Sequence, residues 1–337
     1  MTTARLKVRF AGPLVTLQDA GRIAQLRFGV PASGPMDRFS FAAAHAALAQ
    51  GQTATAIEVS LGGVIIECLD GAVSVAVTGG HFRIIAAGKE SSGWGVHTLH
   101  AGDKLSVRAG DWGSWAYIAF AGQLAAKSWL GHTATHALSG FGGGTLSTND
   151  VLDVSDAQVL DSRSGDIPIP DFAKPTPDVQ TVLGPQDHHF TSKALAQFQA
   201  SEFTFTDAFD RMGAKLHGPA LMMNDALSIP SEPIIRGSVQ VSGDGAPTVL
   251  LADHQTTGGY PKIATLLSSE TDRFAQNRSG DRVRFGCLSP EGALADSRKF
   301  SATVSAYLSA LAKPKASLDE RLMTLNLIDG AVSGTED

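Results

Sequence analysis

Short runs of alternating apolar and polar residues, cut by glycine and proline, dominate the first 290 positions of the chain. Strands are expected at Ala56–Leu61, Val64–Leu69, Val73–Thr78, Phe82–Ala86, Lys104–Arg108 and Trp115–Ala121, with turn signals every few residues. One early segment, Arg38 to Gln50, has helical periodicity instead, placing Phe41, Ala44 and Leu48 on one face. From Asp161 to Asp178 the pattern lapses into Ile-Pro-Ile-Pro and Lys-Pro-Thr-Pro, the composition of a stiff extended linker. Strands resume at Val179, with a helix over Ser192–Ser201. After Cys287 helical patterns take over, Glu291 to Ala312 and Leu318 to Leu327, broken at Lys313-Pro314. Val332 to Asp337 are expected to fray. This rhythm predicts a mainly β protein with domains at 1–160 and 179–288, a Pro-rich linker over 161–178 and a helical tail over 289–337.

An internal repeat sharpens that picture. Gly34-Pro35-Met36-Asp37 before the first helix matches Gly184-Pro185-Gln186-Asp187 before the second. Leu61-Gly62-Gly63 resembles Leu216-His217-Gly218, and Thr78-Gly79-Gly80-His81 matches Thr257-Gly258-Gly259-Tyr260. Gly102-Asp103 and Gly280-Asp281 then follow His81 and Tyr260 after 20 and 19 intervening residues. Matches in one order imply two similar β-barrels related by a pseudo-twofold, with a ligand groove expected between them.

Composition narrows the function classes. The 337 residues are 43% hydrophobic and 18% charged, enough for real cores. The net charge of −6 and the lack of a basic run argue against nucleic acid. No apolar stretch is long enough to span a membrane, and no signal peptide is evident, so a cytoplasmic protein is expected. Cys68 and Cys287 stand far apart in strand-like runs and are expected to be buried free thiols. Nucleotide-binding glycine motifs, a nucleophile elbow and a zinc ligand set are all missing from the sequence; Gly140 to Thr145 is glycine-rich but has no following lysine, and no metal is expected.

Candidate chemistry concentrates in Ala252-Asp253-His254-Gln255-Thr256-Thr257-Gly258-Gly259-Tyr260-Pro261-Lys262, polar groups of many kinds between two apolar runs. The alternative is a hairpin whose polar groups satisfy only its own backbone. Lys262, placed by Pro261, can bind a carboxylate, bicarbonate or phosphate or polarise a carbonyl; otherwise it is a solvated surface lysine. Tyr260 can protonate a leaving group. Asp253 and His254, as strand neighbours, are expected to face opposite ways, with His254 at the surface. Arg211 offers a planar fork for a carboxylate, held by Asp210, or else forms a structural ion pair at a turn. Ser33, Met36, Asp37 and His45 form the first-half counterpart, Asp37 having a helix cap as its simplest role. The candidate catalytic set is therefore Lys262, Tyr260, Asp253 and Arg211. The candidate binding set is Gln255, Thr256, Thr257, Gly258, Gly259, Asp210, Ser33, Met36, Asp37 and His45.

Several motifs together resemble a known family: Gln18-Asp19-Ala20-Gly21-Arg22, Gly29 to Asp37, Glu58-Val59-Ser60-Leu61-Gly62-Gly63, Gly184 to Asp187, Asp210-Arg211-Met212-Gly213 and Ala252 to Ala264. They resemble the C-type component of bacterial 5-oxoprolinase, also called the KipA or allophanate-hydrolase-subunit-2 type, in the biotin-dependent carboxyltransferase superfamily. The resemblance covers about 10–288. It implies two cyclophilin-like β-barrels and a B-type, KipI-like partner in a hetero-oligomer, with a LamB/YcsF-like component of the A type. The implied chemistry is ATP-driven ring opening of 5-oxoproline. The alternatives are carboxyl transfer between biotin on a carrier protein and a urea-like acceptor, or regulatory binding without catalysis. The chain departs from the family pattern at His45, where asparagine is usual, and at Phe209 and His254.

Overall fold

The computed structural model describes residues 2–51, 53–224 and 229–314. Eleven strands belong to the first half: β1 (Thr3–Ala11), β2 (Thr16–Gln18), β3 (Ala56–Ser60), β4 (Val64–Asp70), β5 (Ala72–Ala86), β6 (Lys89–Ser92), β7 (Gly95–His100), β8 (Lys104–Phe120), β9 (Gln123–Leu124), β10 (Val151–Ser155) and β11 (Gly165–Asp166). Their hydrogen-bonded path runs β11-β7-β5-β8-β4-β1-β10-β9 and branches at β8, which also takes β3 and through it β2. The second half contains β12 (Asp178–Leu183), β13 (Glu202–Phe209), β14 (Gly213–His217), β15 (Glu232–Pro233), β16 (Ser238–Val241), β17 (Pro247–Leu250), β18 (Thr257–Gly258), β19 (Lys262–Leu266) and β20 (Arg282–Cys287). Seven of these close a barrel in the order β12-β19-β16-β17-β14-β13-β20, with β12 and β20 forming the parallel seam; β15 and β18 make a separate ribbon. The protein is thus mainly β, as the strand rhythm predicts. The closed ring is the second half, whereas the first forms a branched sheet.

Two pairs of expected strands prove to be single long ones. Val73–Thr78 and Phe82–Ala86 are one strand, β5, and Lys104–Arg108 and Trp115–Ala121 are one strand, β8. The Thr78-Gly79-Gly80-His81 turn expected from the repeat is therefore a β-bulge: the β5–β8 register shifts around His81, and Gly79 sits at φ +112°. A Cβ on Gly79 would lie 2.5 Å from Ala116 Cα, and Gly80 packs on Gly113, so both glycines allow close strand approach. Glycine pairs in apolar surroundings signal turn and bulge alike; here strand pairing on both sides decides.

Strict alternation on β5 and β8 buries both faces. Val73, Val75, Val77, Ala116, Ile118 and Phe120 enter a core made only of first-half residues. Ala76, Trp115, Tyr117 and Ala119 face the other way, into an apolar cluster that continues through helix α1 (Arg38–Ala47) into the second barrel. Helix α2 (Ser192–Ala200) contributes Ala194 and Phe198 to that cluster, and α3 (Ser268–Ala275) contributes Phe274.

The segment 161–178 is packed, not a free spacer. Its β11 pairs with β7, Ile167 and Ala173 are buried, and Arg163 donates to the carbonyls of Ala47 (3.2 Å) and Ala312 (2.7 Å). Its prolines limit the backbone, but its apolar residues have a surface to cover. The final described helix, α4 (Pro290–Ala312), is capped by Ser289 and packs Tyr307 against Phe39 at 5.5 Å. It ends before Lys313, as expected; the expected Leu318–Leu327 helix and the frayed end lie outside the described residues. No helix among the described residues is long and apolar enough to cross a membrane. Cys68 is buried, but Cys287 is only partly so.

Candidate functional site

The polar stretch after β17 is not a hairpin. β16 lies between β17 and β19 and pairs with both, so residues 251–261 form a crossing over the end of β16. The crossing is zipped to the β13–β14 turn: Leu251 N donates to Met212 O (3.0 Å) and Asp253 N to Arg211 O (2.8 Å). Asp210 shapes that turn by accepting from the amides of Met212 (2.7 Å) and Gly213 (3.3 Å), and does not hold Arg211.

Arg211 is instead a clasp between the two halves. Its Nε and Nη2 donate to the two Asp253 oxygens at 2.9 and 3.0 Å, its Nη1 pairs with Glu58, and Nη2 also reaches Gly34 O at 2.7 Å. All three side chains are at most 1% exposed. Burial alone would lower the Arg211 pKa, but the charges of Asp253 and Glu58 outweigh it and hold the guanidinium protonated. Burial would likewise raise Asp253, and Arg211 reverses that, keeping the carboxyl below its ordinary range. A fully buried fork with four of its five N–H groups engaged by the framework is not offered to substrate, so the expectation of a substrate-facing Arg211 gives way to its structural alternative, with different partners from those expected.

The network reaches deep into the first half. Glu58 Oε2 accepts from Tyr117 Oη and from Met36 N, each at 2.8 Å, and Tyr117 Oη accepts from Asp37 N at 2.7 Å. Burial, then the neighbouring Glu58, pushes Tyr117 well above its ordinary pKa. Asp37 caps α1 through Ser40 N (2.8 Å) and accepts from Gln276 Nε2 (2.7 Å); burial, with Asp272 adding to it, raises Asp37 to about 6. Ser33 accepts from Arg22 Nη2 at 3.0 Å, and Met36 is fully buried. His45 lies in the interior, its ring 4.6 Å from that of Phe41, and burial lowers its pKa to about 4. Ser33, Met36, Asp37 and His45 are thus interior groups, not the wall of an open pocket.

Two further corrections concern the crossing itself. His254 is buried, 3% exposed, with Nδ1 2.7 Å from Gln255 O, and burial lowers its pKa. It is not at the surface, because Ala252-Asp253 forms a turn and strand alternation does not apply there. Lys262 is no solvated lysine either. It is 2% exposed, and its Nζ has no hydrogen-bond partner among the described residues; Glu232 Oε2 lies 3.8 Å away. Its backbone is gripped by Gln186, whose Oε1 accepts from Lys262 N at 2.9 Å while Gln186 N donates to Lys262 O at 3.2 Å. Gln186 Nε2 donates to Glu232.

Residues of the crossing and of the β13–β14 turn also wall a groove of about 450 Å³, lined by Asp210, Phe209, Met212, Leu250, Gln255 and Tyr260 among others, with Lys262, Gln186 and Glu232 outside its lining. Tyr260 is 46% exposed at its rim. Gln255 Nε2 donates to Gln240 Oε1 (3.2 Å), and Gln240 Nε2 to Tyr260 O (3.3 Å), which fixes that wall. Thr256 O accepts from Ile234 N at 3.0 Å, and Thr257 and Gly258 form β18 against β15. Gly259 O accepts from Ile229 N at 2.8 Å. These residues build the loop backbone that delivers Tyr260 and Lys262. A second cavity, about 280 Å³ at the end of α4, is mostly apolar, and its Arg163 is spent on helix-end carbonyls. Among the described residues no three His, Cys, Asp or Glu side chains are grouped to hold a metal.

The structure therefore joins Lys262 to Gln186 and Glu232, and joins Arg211 to Asp253 and Glu58. Glu232, Tyr117 and Gln276 carried no sequence signal. Glu58 did: a carboxylate inside the apolar run Ala56-Ile57-Glu58-Val59 is expensive to bury unless paired.

The family model for the carboxyltransferase domain, subdomains A and B, matches residues 28–287. The chain is 31% identical over 288 residues to the 5-oxoprolinase C component of Haemophilus influenzae, covering 84% of this chain and 91% of that protein. It is 27% identical over 300 residues to the 5-oxoprolinase C component of Escherichia coli, covering 86% and 93%. In three dimensions it is similar to Kluyveromyces lactis urea carboxylase, with a TM-score of 0.80, 23% identity, and coverage of 95% of this chain but 30% of that one. That last likeness is one of fold.

Proposed function

This chain belongs to the carboxyltransferase-domain family, subdomains A and B, and from that premise we propose that it is the C-type component of an ATP-dependent 5-oxoprolinase complex. The complex opens a small lactam: the ring C–N bond breaks, water adds across it, and ATP hydrolysis drives the step. Its other members are a B-type, KipI-like protein and an A-type, LamB/YcsF-like protein. The observation that carries the reading is the enclosed Lys262 ammonium, without a hydrogen-bond partner among the described residues, two positions along the chain from Tyr260 in the wall of the groove.

An ammonium enclosed away from water interacts strongly with negative charge developing on an amide oxygen. Lys262 is the group for that task, held by Gln186 through both its N–H and its C=O. Tyr260, at the rim, is placed to give a proton to the departing ring nitrogen. Arg211 and Asp253 act at one remove, fixing the crossing that carries both.

ATP is a substrate of the complex, and the described residues of this chain offer no cradle for its phosphates. The Gly140–Thr145 loop spends its amides internally: Gly143 N donates to Thr133 O (2.8 Å) and Gly144 N to Thr135 Oγ1 (2.9 Å). The groove carries Asp207 and Asp210, and its Lys215 is paired with Asp244. We assign the nucleotide to the other members of the complex. The fold likeness to urea carboxylase keeps a second reading in view, carboxyl transfer from biotin on a carrier protein, for which the same lysine would meet the carboxyl group.

The test is ATP-dependent glutamate formation from 5-oxoproline with all three proteins present. Lys262→Ala is expected to cut turnover by about 100-fold or more, the loss typical of one oxyanion donor, while the complex still assembles. Wild-type turnover in that variant would remove Lys262 from the mechanism.

A further inference from the structure

Burying an ammonium without a hydrogen-bond partner is costly, and native proteins rarely leave one so. Among the described residues, Lys262 Nζ is such a group. The carboxylate nearest it, Glu232 Oε2 at 3.8 Å, is too far for a hydrogen bond yet close enough for an ion pair. Gln186 adds a second donor. Lys262 N requires an oxygen, so the Gln186 amide must present Oε1 to it and turn Nε2 toward Glu232. Two donors, one charged and one neutral, thus converge on a single carboxylate.

That carboxylate is not part of the scaffold. Glu232 sits on β15, which among the described residues pairs with β18 alone, through two residues, outside the closed barrel. Its side chain is 51% exposed, whereas Lys262 and Gln186 are buried. A rigid receptor therefore holds a half-exposed acid delivered on a short ribbon.

We propose that Lys262 and Gln186 form the receptor for the carboxylate of the substrate, one Lys262 N–H going to that carboxylate and another remaining for the lactam oxygen, and that Glu232 is an internal occupant displaced when substrate binds. The ligand class is a small monocarboxylate; its identification with 5-oxoproline rests on the function proposed above. Glu232 lowers apparent affinity by the fraction of time it fills the receptor and keeps the ammonium covered when substrate is absent.

The test measures binding of acetate, 5-oxoproline and 2-pyrrolidinone, the same ring without its carboxylate, to the full chain and to the assembled complex by calorimetry and NMR titration. Wild type should bind 5-oxoproline more tightly than 2-pyrrolidinone. Glu232→Gln should tighten acetate and 5-oxoproline by about tenfold, as expected when a site open roughly a tenth of the time becomes free, and leave 2-pyrrolidinone unaffected. Lys262→Met should abolish the preference for the carboxylate. Unchanged or weaker carboxylate binding in Glu232→Gln overturns the proposal and marks Glu232 as a structural partner or a direct substrate ligand. If acetate and 5-oxoproline behave as described but the complex forms no glutamate, the receptor stands and the 5-oxoprolinase reading falls.

Discussion

Removing Arg211 is the most informative perturbation of the framework. Arg211→Met keeps the length and apolar stem of the side chain but deletes a charge that faces two buried carboxylates, Glu58 of the first half and Asp253 of the second. Breaking one buried ion pair typically costs about 3–5 kcal/mol, because the remaining charge stays dehydrated. Here two charges are stranded and four hydrogen bonds are lost, so the cost should lie at or above that range. The assay is urea denaturation of wild type and variant from pH 7 down to pH 3. In wild type the depressed Asp253 pKa adds stability that is present above the unfolded carboxylate value and is lost as pH falls through the folded one. In the variant burial, the largest influence on Asp253, is opposed mainly by the Ala137 amide, so its pKa rises and the sign reverses: stability is lost as pH climbs through the raised value. The gap between the proteins should therefore be widest at neutral pH and shrink below about pH 4. A triple variant, Arg211→Met with Glu58→Gln and Asp253→Asn, should be less damaged than the single one, since it leaves no stranded charge. A single variant within about 1 kcal/mol of wild type, the upper limit for an exposed pair, or a gap indifferent to pH, would refute the clasp.

Two other substitutions test separate parts of the framework. Asp37 has a raised pKa of about 6, so its contribution is fully present below the unfolded carboxylate value and lost as pH rises through 6; Asp37→Asn, which preserves a helix cap, should gain melting temperature relative to wild type between pH 4 and 7. Gly79→Ala should destabilise by about 1–3 kcal/mol from its positive φ alone, with further loss from the contact with Ala116, read as a lowered urea midpoint; an unchanged midpoint would deny the bulge.

Much of the architecture was legible because it is local. Alternation marked most strands, Asp37 before an apolar helix marked a cap, and the ordered repeat marked two halves. What escaped was long-range. Arg211 meets Glu58 across 153 positions and Asp253 across 42, and no local pattern encodes that pairing. The burial of His254 escaped because a turn replaces the strand on which alternation depends. Chemistry and setting single out Lys262 and Tyr260 as candidates but not Glu232, since an acid on a short surface ribbon looks like any solvated glutamate. The proline-rich segment reads as a linker because composition records backbone stiffness, not whether Ile167 and Ala173 have a surface to cover.

The two-faced central strands bear on how the protein can be taken apart. A fragment ending near residue 160 would keep its own core, yet expose Trp115, Tyr117 and Ala119 as a contiguous apolar face. It would leave Glu58 dehydrated beside Met36 and Tyr117 with no cation. The complementary fragment would carry a closed barrel with the unmatched halves of the same surface. Such pieces are suited to complementation: mixed together, they should reassemble around the shared cluster, while each alone should aggregate through it. The two halves of the repeat are in this sense one folding unit, in which the first serves as foundation for the loop carried by the second.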